Sequence, residues 1–464
     1  MLIQRAPDRY EKLRHLGAMA TDDILAPAST DERTVPRPDW SGIAASGGRT
    51  QQAGVYRAAM PSGKRISLLR VMFTDHCIMD CHYCPNSHWV PRRRYGFKVD
   101  ELAALFDEMY RRQAVAGLFL SSGIFRDSDR TQERLLDVVE AIRNRYGFRG
   151  YIHLKVMPGV MDPGLVDAAH RLGTRLSVNM EAPTAGHLAK LSKLKRFDEG
   201  ILAPMRQIHD ANLAQYGGAV GQATQLVVGA ADETDLDIYA RMRNLYGEMG
   251  FKRVYYSAFR PVKYTPLEEH PATPKVREQR LYQMDWLSRF YGFDDGDLRL
   301  AFDDTGFLNH RADPKLMIAS QQAERFPIDI NHADESSLMR VPGVGPKAAS
   351  RIIAQRRQHS ITHWRELQAM GVVWKRAQYF VYLPGHKPEP SRQGEFALDF
   401  AAPQQGGLRE EPGPVAAHSS HRGHKRSRSV ADIHERHIAH GCTGCPMAGA
   451  TCGAGYQMPS PQPA

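Results

Sequence analysis

Three cysteines within one short segment are the part of this chain best equipped for chemistry. Cys77, Cys81 and Cys84 lie in DHCIMDCHYCPN (75–86), spaced C-x3-C-x2-C. A tight loop with that spacing can aim three thiolates at one point, and thiolate is a ligand that both zinc and iron–sulfur clusters favour. Three thiolates hold three irons of a four-iron cluster and leave the fourth open to a ligand that is not protein. A structural zinc site is the alternative, and His76 or His82 would then have to supply the fourth protein ligand. A second group, Cys442, Cys445 and Cys452 in HGCTGCPMAGATCG (440–453), is spaced C-x2-C-x6-C beside His440. A second iron–sulfur cluster, a zinc knuckle completed by His440 or His437, and a loosely ordered tail with incidental thiols all fit it.

These are all six cysteines of the chain. The N-terminal stretch MLIQRAPDRYEKLRHLG has no apolar signal core, and no apolar run reaches the roughly 20 residues that cross a bilayer. Cysteines bunched in threes in that setting read as metal ligands rather than a disulfide framework, so a cytoplasmic metalloprotein is expected, not a secreted or integral membrane protein. Lys plus Arg number 61 against 51 Asp plus Glu, a net charge of +10. That balance favours an anionic partner, nucleic acid or a membrane surface. The 464 residues, 42% hydrophobic and 24% charged, are enough for two or three domains with a sizeable core.

The cysteine loop needs elements that hold it still. From 66 to about 260, short β-rich runs alternate with helical stretches. The strand candidates are ISLLRVMF (66–73), AGLFLSS (116–122), YIHLKV (151–156), TRLSVNM (174–180), TQLVVG (224–229) and RVYYSA (253–258), with amphipathic segments such as 99–113 and 130–147 between them. Six βα units predict an α/β fold: a parallel barrel, complete or partial, with its functional groups at the C-terminal strand ends. The cysteines follow the first strand directly. Residues 1–65 form a lead-in with one helical stretch at 8–20. Residues 261–326 connect, with a helix at 276–292. Residues 386–433, including HRGHKRSRS (421–429), have the composition of a disordered linker, and 434–464 form a Cys/His-containing tail.

Residues 327–385 form a small all-α unit. In PIDINHADESSLMRVPGVGPKAASRIIAQRRQ (327–358), Asn331 is placed to cap a helix carrying Leu338, and VPGVGPK makes a glycine turn into a second helix. Gly343 and Gly345 let the backbone approach a ligand, free N–H groups at the helix start suit a phosphate oxygen, and Lys347 and Arg351 add charge on the same side.

Cys77, Cys81 and Cys84, with aromatic Tyr83 before the third cysteine, resemble the signature of the radical S-adenosylmethionine (SAM) superfamily over roughly 66–260. The resemblance implies a 4Fe-4S cluster whose open iron chelates the amino and carboxylate groups of SAM. Reduction by a donor such as flavodoxin or ferredoxin then splits the sulfonium bond, and the resulting 5′-deoxyadenosyl radical abstracts hydrogen from a substrate. It implies that Tyr83 lies near the adenine. The family's Gly-Gly-Glu-like stretch corresponds to Ser121, Ser122 and Gly123, which lack the carboxylate. Glu181, in NMEAPT, stands where a contact to the SAM amino group or ribose is expected, or it serves as a helix-start carboxylate. Arg92, Arg93, Arg94 and Lys98 in RRRYGFK either hold polynucleotide phosphates at the active-site mouth or form a solvated face. Lys155 is a further candidate for the pocket.

The 327–358 segment resembles a helix-hairpin-helix DNA-binding motif of the tandem form, which opens with a similar "DINxA" phrase. A degenerate second copy, lacking the Gly-x-Gly turn, follows at ITHWRELQAMGVVWKRAQYFVYLPG (361–385). A protein-interaction or purely structural helical unit is the plainer alternative. Together the two parts resemble a family of DNA modification or repair radical SAM proteins associated with uracil-DNA glycosylases. That implies a partner of the glycosylase kind and a substrate in DNA, gripped by its backbone while an extruded or single-stranded nucleotide enters the barrel. An RNA-modifying radical SAM enzyme and a non-catalytic DNA-binding iron–sulfur protein are the alternatives. The positive charge, placed by residue, then points to nucleic acid and not to a membrane.

Overall fold

The computed structural model describes residues 7–20, 54–59, 65–215 and 220–388. Residues 389–464 lie outside the described residues, and with them most of the expected linker, the tail, and Cys442, Cys445 and Cys452. Seven strands form one curled sheet in strict chain order: β1 (Val55–Ala59), β2 (Arg65–Met72), β3 (Gly117–Ser121), β4 (Tyr151–Lys155), β5 (Arg175–Ser177), β6 (Gly221–Val228) and β7 (Arg253–Ala258). β1 runs antiparallel to β2, and every later neighbour is parallel. The architecture is α/β, and the barrel is partial. All six expected strands are present. β1 lies in the segment expected to be a lead-in, where VYRAA is too short to announce itself.

β5 is shorter than its TRLSVNM sequence suggests, for a specific reason. The Thr224 hydroxyl on β6 donates to Val178 O (2.7 Å) and accepts from Met180 N (3.0 Å), replacing the ladder there. Pairing resumes one residue later, where Glu181 N donates to Gln225 O (2.9 Å) and Val227 N to Glu181 O (2.8 Å). Glu181 takes φ +68° to do so, a backbone state uncommon outside glycine.

Side chains alternate across the sheet. One set, including Leu69, Val71, Leu118, Leu120, Ile152, Leu154, Leu226 and Val254, packs into the main core beneath the helices. These helices are α1 (Arg9–Met19), α2 (Val99–Arg111), α3 (Ser128–Glu140), α4 (Pro163–Leu172), α5 (Ala185–Leu191), α6 (Ala203–Gln215), α7 (Asp235–Gly247) and α8 (Lys275–Phe290). The other set faces the concave side. In register there, Arg70 neighbours Phe119, Phe119 neighbours His153, and Lys155 neighbours Ser177. A closed (β/α) barrel fills this space with branched apolar residues; here it is polar.

After α9 (Asp295–Arg299) and α10 (Pro314–Gln321), a second core of Leu338, Val341, Ile352, Leu367 and Phe380 gathers α11 (Glu335–Arg340), α12 (Pro346–Arg356), α13 (Trp364–Ala369) and α14 (Trp374–Ala377). A short parallel pair, β8 (Ile328–Asp329) with β9 (Val381–Tyr382), closes the unit. Asn331 does not cap the first of these helices. Asp334 does, accepting from Ser337 N (2.6 Å), because α11 starts later than expected. Asn331 instead bonds Ile361 in both directions, from Nδ2 to Ile361 O (2.9 Å) and from Ile361 N to Oδ1 (2.8 Å), tying the two hairpins together.

The hairpin unit is fastened to what precedes it. Arg340 pairs with buried Asp297 (2.6 Å), Arg376 with buried Asp313 (2.7 Å), and buried Lys315 donates to Val344 O (2.5 Å) inside the glycine turn. Burial pulls the Lys315 ammonium down to about 7, against the opposing charge of Asp313. No helix among the described residues is long and apolar enough to cross a membrane.

Above pH 7 folded Lys315 is neutral while the unfolded chain holds its proton up to the ordinary lysine range. The unfolded state therefore binds more protons, and stability rises with pH across that window. The expected outcome is that the wild type gains on Lys315→Met by roughly 1.4 kcal/mol per pH unit between about pH 7 and 10. Urea unfolding of both chains at each pH checks it.

Candidate active site

The loop after β2 makes few ladder bonds, so side chains satisfy its backbone. Arg94 alone donates to the carbonyls of Asp75 (2.9 Å), Asn86 (3.0 Å), Ser87 (2.7 Å) and Val90 (2.8 Å). Asp75 is fully buried; it accepts from Tyr95 N (2.6 Å) and pairs with His15 (2.8 Å) and Arg92 (3.2 Å). Burial pushes its carboxyl up, but these partners more than offset that and hold it below the usual range. Arg92 and Arg94 are therefore neither a solvated face nor free phosphate ligands, because the loop uses both guanidiniums internally. Arg93 is exposed over the Tyr95 ring, and Lys98 is exposed at the start of α2.

Asp80, beside Cys81, anchors the loop to the far end of α5. Its carboxylate accepts from the Ser192 hydroxyl and from Lys193 N (2.8 Å), and its carbonyl accepts from Trp89 Nε1 (3.0 Å). Burial raises the Asp80 carboxyl, and these bonds bring it below the usual range. His82 N donates to Leu191 O (2.9 Å) on the same segment. On the β3 side, Gly123 N donates to Thr74 O (2.7 Å) and Ile78 N to Ile124 O (2.8 Å). A Cβ at Gly123 would lie 2.3 Å from His76 O, so only glycine permits this crossing. Ser121 is buried at the end of β3, and the Ser122 hydroxyl donates to Gly123 O (2.7 Å). This stretch carries hydroxyls and backbone groups and no carboxylate.

Cys81 is buried, while Cys77 and Cys84 are partly exposed. Burial pushes the Cys81 thiol up to about 11, with the charge of Lys195 opposing. Lys195 was not legible as a site residue: KLSKLKR (190–196) has the composition of a solvated helix end. Yet its side chain is 6% exposed and its Nζ reaches Tyr83 Oη (2.8 Å) and Glu181 Oε1 (3.1 Å). Burial pulls this ammonium down, but Cys81 and Glu181 hold it above the ordinary lysine range. Tyr83, Glu181 and Lys195 thus form one bonded group beside the cysteines, with Glu181 and the Lys195 side chain buried and Tyr83 partly so. Deeper on the concave face, His153 Nε2 meets the Ser177 hydroxyl (2.9 Å) and its ring meets Phe119 edge-on. Burial, then Arg175 and Lys155, keep His153 neutral. Lys155 is buried at the end of β4.

Among the described residues, no three His, Cys, Asp or Glu side chains are placed to hold a single metal ion. His82 Nδ1 is engaged with Lys190 O (2.9 Å), and His76 is exposed. Three soft donors on one anchored loop, two of them partly exposed and a buried cation alongside, fit a cluster that keeps one iron free of protein.

In the hairpin unit, Gly343 takes φ +87° and packs against the second hairpin: a Cβ there would lie 2.6 Å from Val373 O, and Val373 N donates to Gly343 O (2.9 Å). Gly345 starts α12 with no side-chain cap, Pro346 follows it, and exposed Lys347 stands in the first turn of that helix. Arg351 is exposed and braces the second hairpin through Met370 O (3.2 Å). That hairpin closes at Gly371, φ +96°, in place of the Gly-x-Gly turn.

The radical SAM superfamily model matches residues 71–229, and a helix-hairpin-helix motif matches 325–371. The chain carries a radical SAM domain followed by a helix-hairpin-helix motif. No curated protein matches it. Similar solved structures include methylornithine synthase, 17% identical over 47% of this chain and 60% of that one, TM-score 0.39. The FeFe-hydrogenase maturase from Carboxydothermus hydrogenoformans is 15% identical over 45% and 48%, TM-score 0.37. Coproporphyrinogen III oxidase from Escherichia coli, a radical SAM enzyme, is 15% identical over 49% and 52%, TM-score 0.30. The chain spans about half to three-fifths of these proteins, and at such scores their activities say nothing of its own.

Asp80→Ala should free the cysteine loop from α5. Losing bonds to a charged group costs on the order of 1.5–3 kcal/mol, so labelling of buried Cys81 by an alkylating reagent in the cluster-free chain should rise roughly tenfold or more. Peptide mass spectrometry against time measures the rate.

Proposed function

We propose that this radical SAM enzyme acts on a nucleotide in DNA, in modification or repair, with the hairpin unit holding the strand's backbone. The observation that carries the reading is the joint between the two parts. Arg340–Asp297, Arg376–Asp313 and the bond from Lys315 to Val344 fasten the phosphate-binding turn to the elements that follow the barrel. A hairpin on a loose tether could only raise local concentration, whereas a fixed one can set which nucleotide meets the barrel mouth. A stacked base cannot reach a buried centre, so the substrate is an extruded or single-stranded nucleotide.

On this reading Cys77, Cys81 and Cys84 hold a 4Fe-4S cluster, and Tyr83, Ser121, Ser122, Gly123 and Glu181 surround SAM. When bound, that pair supplies one-electron cleavage of the sulfonium and hydrogen-atom abstraction. The protein's own groups do the rest. Lys195 balances the negative charge of the thiolates and Glu181 in a site shielded from water. Neutral His153 with Ser177, and Lys155 above them, offer hydrogen bonds to a polar substrate inside the barrel. A donor such as flavodoxin or ferredoxin supplies the electron, and a uracil-DNA glycosylase-like protein is the expected partner on the same DNA.

Nucleoside mass spectrometry of defined DNA and of RNA, each incubated with reduced, reconstituted protein and SAM, tests the reading. A new or lost nucleoside in DNA is expected; change only in RNA, or none in either, defeats it. Cys81→Ala should abolish release of 5′-deoxyadenosine and leave DNA affinity unchanged. The double change Gly345→Asp, Lys347→Glu should weaken DNA binding and flatten its salt dependence by about one phosphate contact or more; filter binding across a salt series measures both.

A further inference from the structure

The cysteine loop closes on itself at a narrow neck. As the chain leaves β2, residues 73–75 run antiparallel to 95–97, and the three cysteines lie between these two stretches. Phe97 N donates to Phe73 O (2.9 Å), Asp75 N to Tyr95 O (3.1 Å) and Tyr95 N to Asp75 Oδ1 (2.6 Å). Thr74 pairs with Gly96, and its hydroxyl donates to Tyr95 O (2.8 Å).

α1 grips this neck from outside. His15 Nε2 stands 2.8 Å from Asp75 Oδ2, and the His15 ring lies against that of Tyr95, with centroids 4.4 Å apart. One side chain therefore touches both strands of the neck. The Asp75 carboxylate is fully buried and accepts at both oxygens, so the His15 nitrogen carries the proton of this bond. α1 is itself held firmly. Leu13 and Leu16 are fully buried in the main core. Lys12 pairs with Glu101 (2.7 Å) and the Tyr10 hydroxyl donates to Glu108 (2.9 Å), both on α2, the helix into which the cysteine loop feeds. At its other end, Met19 Sδ accepts from Arg92 (3.0 Å), whose guanidinium also pairs with Asp75 (3.2 Å). His15 lies 60 residues before Asp75 and outside the span that matches the superfamily, 71–229.

We infer that His15 is a positioning residue for the cluster, locking the neck of the cysteine loop so that the N-terminal helix is part of the metal site. This rests on reading Cys77, Cys81 and Cys84 as the cluster ligands. A loop closed in this way parts its thiolates by opening at the neck, and local opening is resisted by the bonds that must break. Without His15, a fully buried carboxylate loses a partner and the neck loses its outer brace.

The test uses the full chain, reconstituted anaerobically with iron and sulfide. Loss of the visible cluster absorbance is followed after an iron chelator is added, without SAM. His15→Ala should release iron about ten- to a hundredfold faster than the wild type, the range for one hydrogen bond lost from a charged group. His15→Gln returns an N–H near the place of Nε2 and should release iron at close to the wild-type rate. Tyr10→Phe removes a bond between α1 and α2 and leaves the neck untouched, so it too should match the wild type. If His15→Ala does not fold, His15→Phe, which keeps a ring on Tyr95 and drops the bond, is read in its place with the same expectation. Release at the wild-type rate from the variant without the bond overturns the proposal. So does a glutamine variant, or a Tyr10→Phe variant, that releases iron as fast. A wild type that takes up no iron defeats the cluster assignment, and this proposal with it; a wild type that keeps its cluster while His15→Ala does no worse defeats the proposal alone.

Discussion

Everything proposed for this protein depends on holding an irregular loop still without a ladder of backbone hydrogen bonds. Residues 73–98 leave the sheet, carry the three cysteines and return to α2, and their buried carbonyls and amides need partners. Asp75, Asp80 and Arg94 provide them. A buried carboxylate is costly unless it is paired and hydrogen-bonded, and the cost of leaving one unpaired exceeds the net worth of the bonds it makes. Each of these charges is bonded on several sides, so the loop has one satisfied arrangement. Departing from it would strand a charge.

The same economy explains the position of Glu181. If β5 continued as a ladder through Val178–Met180, the chain would run straight on past the barrel mouth. The Thr224 hydroxyl takes over those bonds, and the chain rejoins β6 at a residue in the left-handed region. The local strain is compensated by the two backbone bonds of Glu181 and by Lys195. The result is a carboxylate delivered to Tyr83 and the cysteines from the far side of the sheet.

Elements governed by local pattern were legible in the sequence. The six parallel strands follow from apolar runs separated by amphipathic segments, and the glycine turn at 341–346 follows from its composition. What local pattern could not show was how charges distribute between surface and interior. Arg92, Arg93 and Arg94 are adjacent and chemically alike, yet two are consumed inside the loop and one faces solvent. Lys195 sits in a basic run that has the look of surface, but a fold that brings 195 to 83 and 181 buries it. Asn331 has the right type for a helix cap and serves the second hairpin instead, because Asp334 lies closer to where the helix can begin.

The polar concave face brings these points together. A complete barrel would have its interior filled by Val, Ile and Leu from alternate strands, stable but closed to a substrate. Here Arg70, His153, Lys155 and Ser177 share those rows with Phe119, so this side of the sheet is largely polar. The compensation lies on the outer face, where Leu69, Leu118, Ile152 and Val254 join one continuous core with the helices. The division separates two demands: stability comes from the convex side, and the concave side is free to be polar. The edge strand β1 extends the sheet beyond β2 and pairs the part of β2 that β3 leaves free. β1 pairs Arg65 to Leu69 and β3 pairs Leu68 to Met72, so every residue of β2 has a ladder partner and the cysteine loop starts from a held end.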